Sequence, residues 1–213
     1  GDENTFIGRK AGMGVTTTDN QTAIGSFALS GVVTGANNTA VGKSALAANT
    51  SGAHNVAVGC GALASTTTSG ENTAVGFGAL ATQNTGAPNS AFGNQSLCKL
   101  TTGSNNVGFG YRSMCSNTTG GNNVAIGFNS LRANTTASSN TAVGRRAMED
   151  NTTGATNVAL GVNALETNTT ANDNVSIGVS SMAANTTGAS NTAVGKSALG
   201  GNTTAGENAA VGA

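Results

Sequence analysis

The chain has 213 residues, of which only 8% are charged and 3% aromatic, with nine Lys and Arg balanced by nine Asp and Glu. Zero net charge removes the electrostatic case for a nucleic-acid or acidic-membrane partner, and no stretch reaches the roughly 18 apolar residues of a spanning helix. Apolar residues make up 37% and recur at fixed phase, which excludes the low-hydrophobicity, high-charge pattern of a disordered chain.

The chain repeats every seventeen residues. Asn4, Gln21, Asn38, Asn55, Asn72, Asn89, Asn106, Asn123, Asn140, Asn157, Asn174, Asn191 and Asn208 open successive units, giving twelve complete units and the start of a thirteenth. Numbered from that Asn, the unit reads Asn-(Thr/Val)-Ala-(Val/Ile)-Gly-x-x-(Ala/Ser)-Leu-x-x-Asn-Thr-Thr-Gly-x-x. A strict period of this size is the signature of a repeat architecture. Gly, Asn and Thr-Thr in every unit oppose helix, and the segments between them are too short for one.

The first predicted element is a short strand over positions two to four. Positions two and four share one face and position three takes the other. Gly at position five, as in Gly42, Gly76 and Gly144, ends the strand at a turn, and the Asn-Thr-Thr-Gly stretch supplies a second turn through residues that tolerate positive φ. Position nine is Leu or Met in every complete unit but the first, Leu46 and Leu80 among them.

These elements predict an all-β, parallel β-solenoid over residues 1–213, a single continuous domain with one coil per repeat and about twelve coils. At about 4.8 Å per coil the rod is on the order of 60 Å long. In-register stacking sets Asn38, Asn72, Asn140 and their counterparts in one column, where side-chain amides bond along the axis. One Val and one Leu per coil offset little of the cost of ordering seventeen residues, so neighbouring coils and neighbouring chains must supply the rest. Position three is Ala in ten of thirteen units and position four is always apolar. A strand apolar on both faces is buried on both; one face fills the coil and the other meets another chain, and the pattern leaves open which is which.

Charges keep phase as well. Arg9, Lys10, Lys43, Arg112, Arg145, Arg146 and Lys196 fall at positions six and seven, whereas Asp2, Glu3, Asp19, Glu71, Asp173 and Glu207 fall at sixteen and seventeen. These edges either pair between neighbouring chains or stand solvated.

Residues that carry chemistry elsewhere lack partners here. His54 is the only His and reads as a turn residue. Cys98 and Cys115 both hold position ten in consecutive units, about 4.8 Å apart on stacking and inside the roughly 4.4–6.8 Å span of a disulfide. Cys60 has no such counterpart, and no His or Cys grouping has zinc spacing. Glu149 and Asp150 are adjacent carboxylates on opposite faces and read as a solvated turn. No Walker pattern closes on Lys-Ser/Thr, and no cofactor or metal is implied.

Two further columns carry hypotheses. Position fourteen is Thr in eleven of twelve units, with Ser51 the exception, and a flat Thr array is a candidate ice-binding face. Asn49, Asn117, Asn134, Asn151, Asn168, Asn185 and Asn202 each satisfy the N-glycosylation acceptor rule; repeated turn Asn residues give the same pattern.

The motifs Asn123-Val124-Ala125-Ile126-Gly127, Asn157-Val158-Ala159-Leu160-Gly161 and Asn174-Val175-Ser176-Ile177-Gly178 resemble the head repeat of YadA-like trimeric autotransporter adhesins. Related Asn-Thr-Ala-Val-Gly repeats occur in phage tail fibres and other extracellular fibres. The resemblance covers essentially the whole chain, although the period is longer and nothing resembles the neck, stalk or anchor. It implies a left-handed parallel β-roll, three chains around one axis, and surface attachment. The chain opens and stops inside a unit and is expected to be a slice of a longer fibre. The expectation is therefore a non-enzymatic homotrimeric fibre, extracellular, on a cell surface or on a virion, meeting a host-surface, matrix or glycan ligand. A receptor-binding phage-type tail fibre and an ice-binding solenoid are the alternatives.

Overall fold

A computed structural model describes residues 1–212. The chain is an all-β solenoid of short parallel strands, and it divides into two compact units, Gly1–Asn105 and Asn106–Ala213. The first unit carries β1 (Thr5–Ile7), β2 (Thr22–Ile24), β3 (Thr39–Val41), β4 (Val56–Val58), β5 (Thr73–Val75) and β6 (Asn89–Phe92). The second carries β7 (Asn106–Phe109), β8 (Val124–Ile126), β9 (Thr141–Val143), β10 (Val158–Leu160), β11 (Val175–Ile177), β12 (Thr192–Val194) and β13 (Ala209–Val211).

Within each unit every strand pairs in parallel with the next, and the register is one repeat throughout. Thr39 faces Val56 and Ala40 faces Ala57 in the first unit; Thr141 faces Val158 and Ala142 faces Ala159 in the second. The ladder continues past the strand, because Gly144 N–H donates to Ile126 O at 2.8 Å and Arg146 N–H donates to Phe128 O at 2.9 Å.

The structure settles which apolar column lies inside. Ala at position three is fully buried from Ala23 through Ala193, together with the position-eight Ala residues from Ala28 through Ala164 and the Leu or Met of position nine from Leu29 through Met182. The interior of a coil is thus two small residues and one large one. The Val, Ile, Leu or Phe at position four points outward and is half-buried or exposed.

Positive φ falls elsewhere than the Asn-Thr-Thr-Gly turn. Gly at position five adopts φ of 127–139°, and Leu and Met at position nine adopt 46–51°. Positions seven and seventeen are left-handed as well, as at Arg146 (58°) and His54 (59°). The glycines of position fifteen have no such φ; they are needed for close approach. A Cβ on Gly154 would overlap the carbonyl oxygen of Ala171 in the next coil. A left-handed Leu costs about 1–2 kcal/mol, and here that conformation accompanies a fully buried side chain whose N–H stays in the ladder, as Leu46 donates to Ala62 O at 3.0 Å.

Two Asn columns line the interior. At position one, Asn55 Nδ2 donates to Asn38 Oδ1 (3.2 Å) and Asn72 Nδ2 to Asn55 Oδ1 (3.1 Å). Asn157 Nδ2 likewise donates to Asn140 Oδ1 at 3.2 Å. The same acceptor takes the backbone N–H of the following Asn, as Asn140 Oδ1 does from Asn157 at 3.0 Å. This is the stacked amide ladder expected for in-register parallel coils.

The second column is position twelve. Asn134 Nδ2 donates to Asn117 Oδ1 at 3.1 Å, Asn151 to Asn134 at 3.1 Å and Asn168 to Asn151 at 2.7 Å. Each amide also donates to the position-fifteen carbonyl of its own coil, as Asn151 does to Gly154 O at 2.9 Å.

Candidate interaction surface

The outward side chains of the second unit carry the largest group of exposed apolar residues. Positions two, four and six of the second unit make its most apolar part. Val107, Phe109, Ile126 and Ile177 are exposed at positions two and four, and Tyr111, Phe128, Val162 and Val179 at position six. Contiguous exposed apolar patches on a folded protein mark contact sites. Position six also carries Arg145 and Lys196, both exposed, so this column borders water whereas the strand positions two and four do not carry charge.

Aromatics cluster along that border. Tyr111 and Phe128, one coil apart, stack with ring centroids 5.5 Å apart and planes 12° from parallel. The Arg112 guanidinium lies 5.8 Å from the Tyr111 ring centre. In the first unit Arg9 lies over the Phe27 ring at 4.9 Å.

One polar cluster overturns a sequence expectation. Glu149, read as a solvated turn residue, is only 4% exposed. Its Oε1 accepts from Arg132 Nε at 2.8 Å and from Asn129 Nδ2 at 3.1 Å, and its Oε2 is bonded to Arg146 Nε. Arg146 also reaches Glu166 at 2.8 Å, and Arg132 reaches Asp150 at 3.8 Å. Burial pushes the Glu149 carboxyl up, but the hydrogen bonds from Arg146 and Arg132 outweigh it and hold the group below the ordinary Glu value. The hydrogen bond to Glu149 raises Arg146 in turn. Arg132, Glu149 and Glu166 all hold position ten, so this network runs along the axis. None of these four ion pairs, the ones seen among the described residues, uses the acidic positions sixteen and seventeen.

The acceptor-rule Asn residues lie at the interior of the coil. Asn49, Asn117, Asn134, Asn151, Asn168 and Asn185 are fully buried, and the amide nitrogen a glycan would need donates into the interior. Asn202 is half-buried, and its Nδ2 donates to Asn185 Oδ1 and Ala205 O, both at 2.9 Å.

The Thr columns divide in two. Position-fourteen residues are exposed in every coil from Thr17 to Thr204. Several position-thirteen hydroxyls instead donate to the next coil's carbonyl, as Thr118 does to Thr135 O at 3.0 Å and Thr152 to Thr169 O at 2.9 Å, and Thr67 donates to Asn84 Oδ1 at 2.6 Å.

His54 stands exposed at its left-handed turn. Cys60 is exposed and free, at the rim of a shallow groove of about 440 Å³ that also includes Gly61, Phe77, Gly78 and Ala81. Cys98 lies in the first unit and is half-buried, and Cys115 lies in the second and is buried. Among the described residues no helix is long and apolar enough to cross a membrane.

Fold and surface together define a β-solenoid repeat protein. No protein-family model matches the chain, and neither does any curated protein or solved structure.

Proposed function

We propose that the chain is the shaft or head of a homotrimeric extracellular fibre, carried on a cell surface or virion, which works mechanically and by adhesion rather than by catalysis. The observation that carries this reading is the outward apolar face of positions two and four. Val107, Phe109, Ile126 and Ile177 stay exposed on one chain, and in-register strands repeat that face coil after coil. Burying it against two like chains removes apolar surface from water at about 25 cal/mol per Å², and obligate assemblies use apolar faces of this kind. The resemblance to YadA-like heads points the same way and adds the left-handed winding. A phage-type tail fibre is the same assembly on a different carrier.

The mass of the full chain in solution tests the proposal. Three copies per particle is the expected result, and Ile126→Lys with Ile177→Lys should return monomers that keep the β-sheet circular dichroism. A stable monomer in the unmodified chain overturns it. The ice-binding reading draws on the exposed position-fourteen column, but several position-thirteen hydroxyls are tied to carbonyls, which leaves a single rank of Thr. Thermal hysteresis above that of an inert protein would favour it over the fibre.

A further inference from the structure

We infer that Tyr111 and Phe128, with Arg112 and Arg145, form a binding site for an acidic polysaccharide on the second unit. The inference rests on the adhesive reading above and names its ligand class and place.

The site follows from the repeat. Tyr111, Phe128 and Arg145 occupy position six in three consecutive coils. The inter-coil ladder fixes their spacing: Asn129 N–H donates to Tyr111 O at 3.0 Å, and Arg146 N–H to Phe128 O at 2.9 Å. The two residues are 44% and 47% exposed, so part of each side chain stays open to water although the rings stack on each other. Rings held this way present apolar surface to water at a fixed orientation, with little side-chain entropy left to lose on binding.

The charges select the ligand. Arg132 and Arg146 are neutralised by Glu149, Glu166 and Asp150. Arg112 and Arg145 enter none of those pairs. Arg112 lies against the Tyr111 ring, and Arg145 Nη2 makes a 3.4 Å bond to the neutral Asn163 Oδ1. The patch therefore offers aromatic surface with the Arg112 guanidinium against it and the Arg145 guanidinium in the coil after Phe128, turned toward Asn163. Neither is in those ion pairs, and a guanidinium takes a carboxylate or sulfate bidentately. A sugar acid supplies both halves, an apolar ring face and an anionic group. The column repeats every coil, about 4.8 Å, so a linear chain lying along the axis passes Tyr111, Phe128 and Arg145 in turn. Single-stranded nucleic acid also pairs stacking with cations, but it needs a tract of positive charge, and two guanidinia beside an otherwise neutralised cluster do not make one.

The test is binding of a heparin oligosaccharide and an oligogalacturonate to the full chain by calorimetry, with neutral dextran and oligo-deoxythymidylate alongside. Both acidic sugars are expected to bind and to weaken with added salt. Arg112→Gln with Arg145→Gln, two exposed changes that leave the fold intact, should lower affinity about tenfold or more, as should Tyr111→Ala with Phe128→Ala. Lys43→Gln, at position six of the first unit, should change nothing. Equal binding of dextran, stronger binding of the oligonucleotide, or no binding of either acidic sugar overturns the inference. Particle mass on the same samples separates the two readings. A trimer that binds no acidic sugar removes this site and leaves the fibre, whereas a monomer that binds removes the trimer and leaves the site.

Discussion

Arg132 Nε donates to Glu149 Oε1 at 2.8 Å across one full repeat, between two residues that hold the same coil position. The bond ties neighbouring coils of the second unit together through charged side chains, whereas the Asn columns do so with neutral amides. Because Glu149 is also bonded to Arg146, one buried carboxylate is shared by two guanidinia, and removing it leaves both without their main partner.

That cluster makes stability depend on acid. The folded Glu149 group lies below its unfolded value, which is about 4.3 for Glu. Its contribution is therefore fully present above about pH 4.3 and is lost as pH falls through the lower folded value. Glu149→Gln should lower stability near neutral pH by about 1–3 kcal/mol and flatten the acid limb. Urea midpoints followed from pH 7 down to pH 3 check this; an unchanged acid limb in the variant would show that the cluster contributes nothing.

The position-one ladder predicts a larger local effect. Asn140 accepts from both the N–H and the Nδ2 of Asn157, and it donates to Gly154 O at 2.9 Å. Asn140→Ala strands buried donors in the next coil, at about 1–3 kcal/mol for each unsatisfied group. Chemical denaturation should show a loss of at least about 2 kcal/mol, and amide exchange should quicken first around Asn157. Equal protection there in both chains would contradict the ladder's role.

Two glycines with positive φ separate strain from crowding. Gly144 has φ of 138° and a Cβ there would overlap Gly161 O, whereas Gly61 has φ of 69° and a Cβ would meet nothing within 4 Å. Gly61→Ala should cost about 1–2 kcal/mol, the ordinary left-handed penalty. Gly144→Ala carries conformational strain and must also push adjacent coils away from each other, so its midpoint should fall well below that of Gly61→Ala. Equal midpoints would mean that coil spacing yields freely.

Much of this architecture is legible in the repeat. The period alone sets the register, and Asn38, Asn72 and Asn140 mark the first ladder because identical residues stack at identical phase. Alternation places Ala40 and Val41 on opposite faces, but period two is blind to which face is inside. The left-handed conformation of Leu46 and Leu80 is hidden in the sequence because propensity disfavours positive φ for any residue with a Cβ, and only closure of the coil overrides it. Within the second unit the Asn151 column repeats as strictly as the Asn140 column, so the stacking argument applies to both there; the acceptor motif Asn-Thr-Thr points to the side chain's chemistry instead of its phase. Glu149 escapes a sequence reading for the opposite reason. It is a single departure at position ten, and a residue without a period gives no sign of where it points.

The second ladder is incomplete in the first unit, and repairing it should stabilise the protein. At position twelve Asn49 is followed by Thr66 and Gln83, whose Oγ1 and Oε1 are buried without a hydrogen-bond partner among the described residues. Thr66→Asn places an amide where Asn134 and Asn151 carry theirs in the second unit. Its Nδ2 can donate to Asn49 Oδ1 and to Ser69 O; the equivalent Gly120 O already accepts two such amides at 2.9 Å, from Asn106 and Asn117. The change removes an orphan hydroxyl and adds an axial bond, worth about 1 kcal/mol or more together. A thermal midpoint raised by a few degrees is the expected result, with Thr66→Val as the control that removes the orphan without extending the ladder. If valine matches asparagine, the benefit comes from desolvation alone and the amide bond adds nothing at this coil.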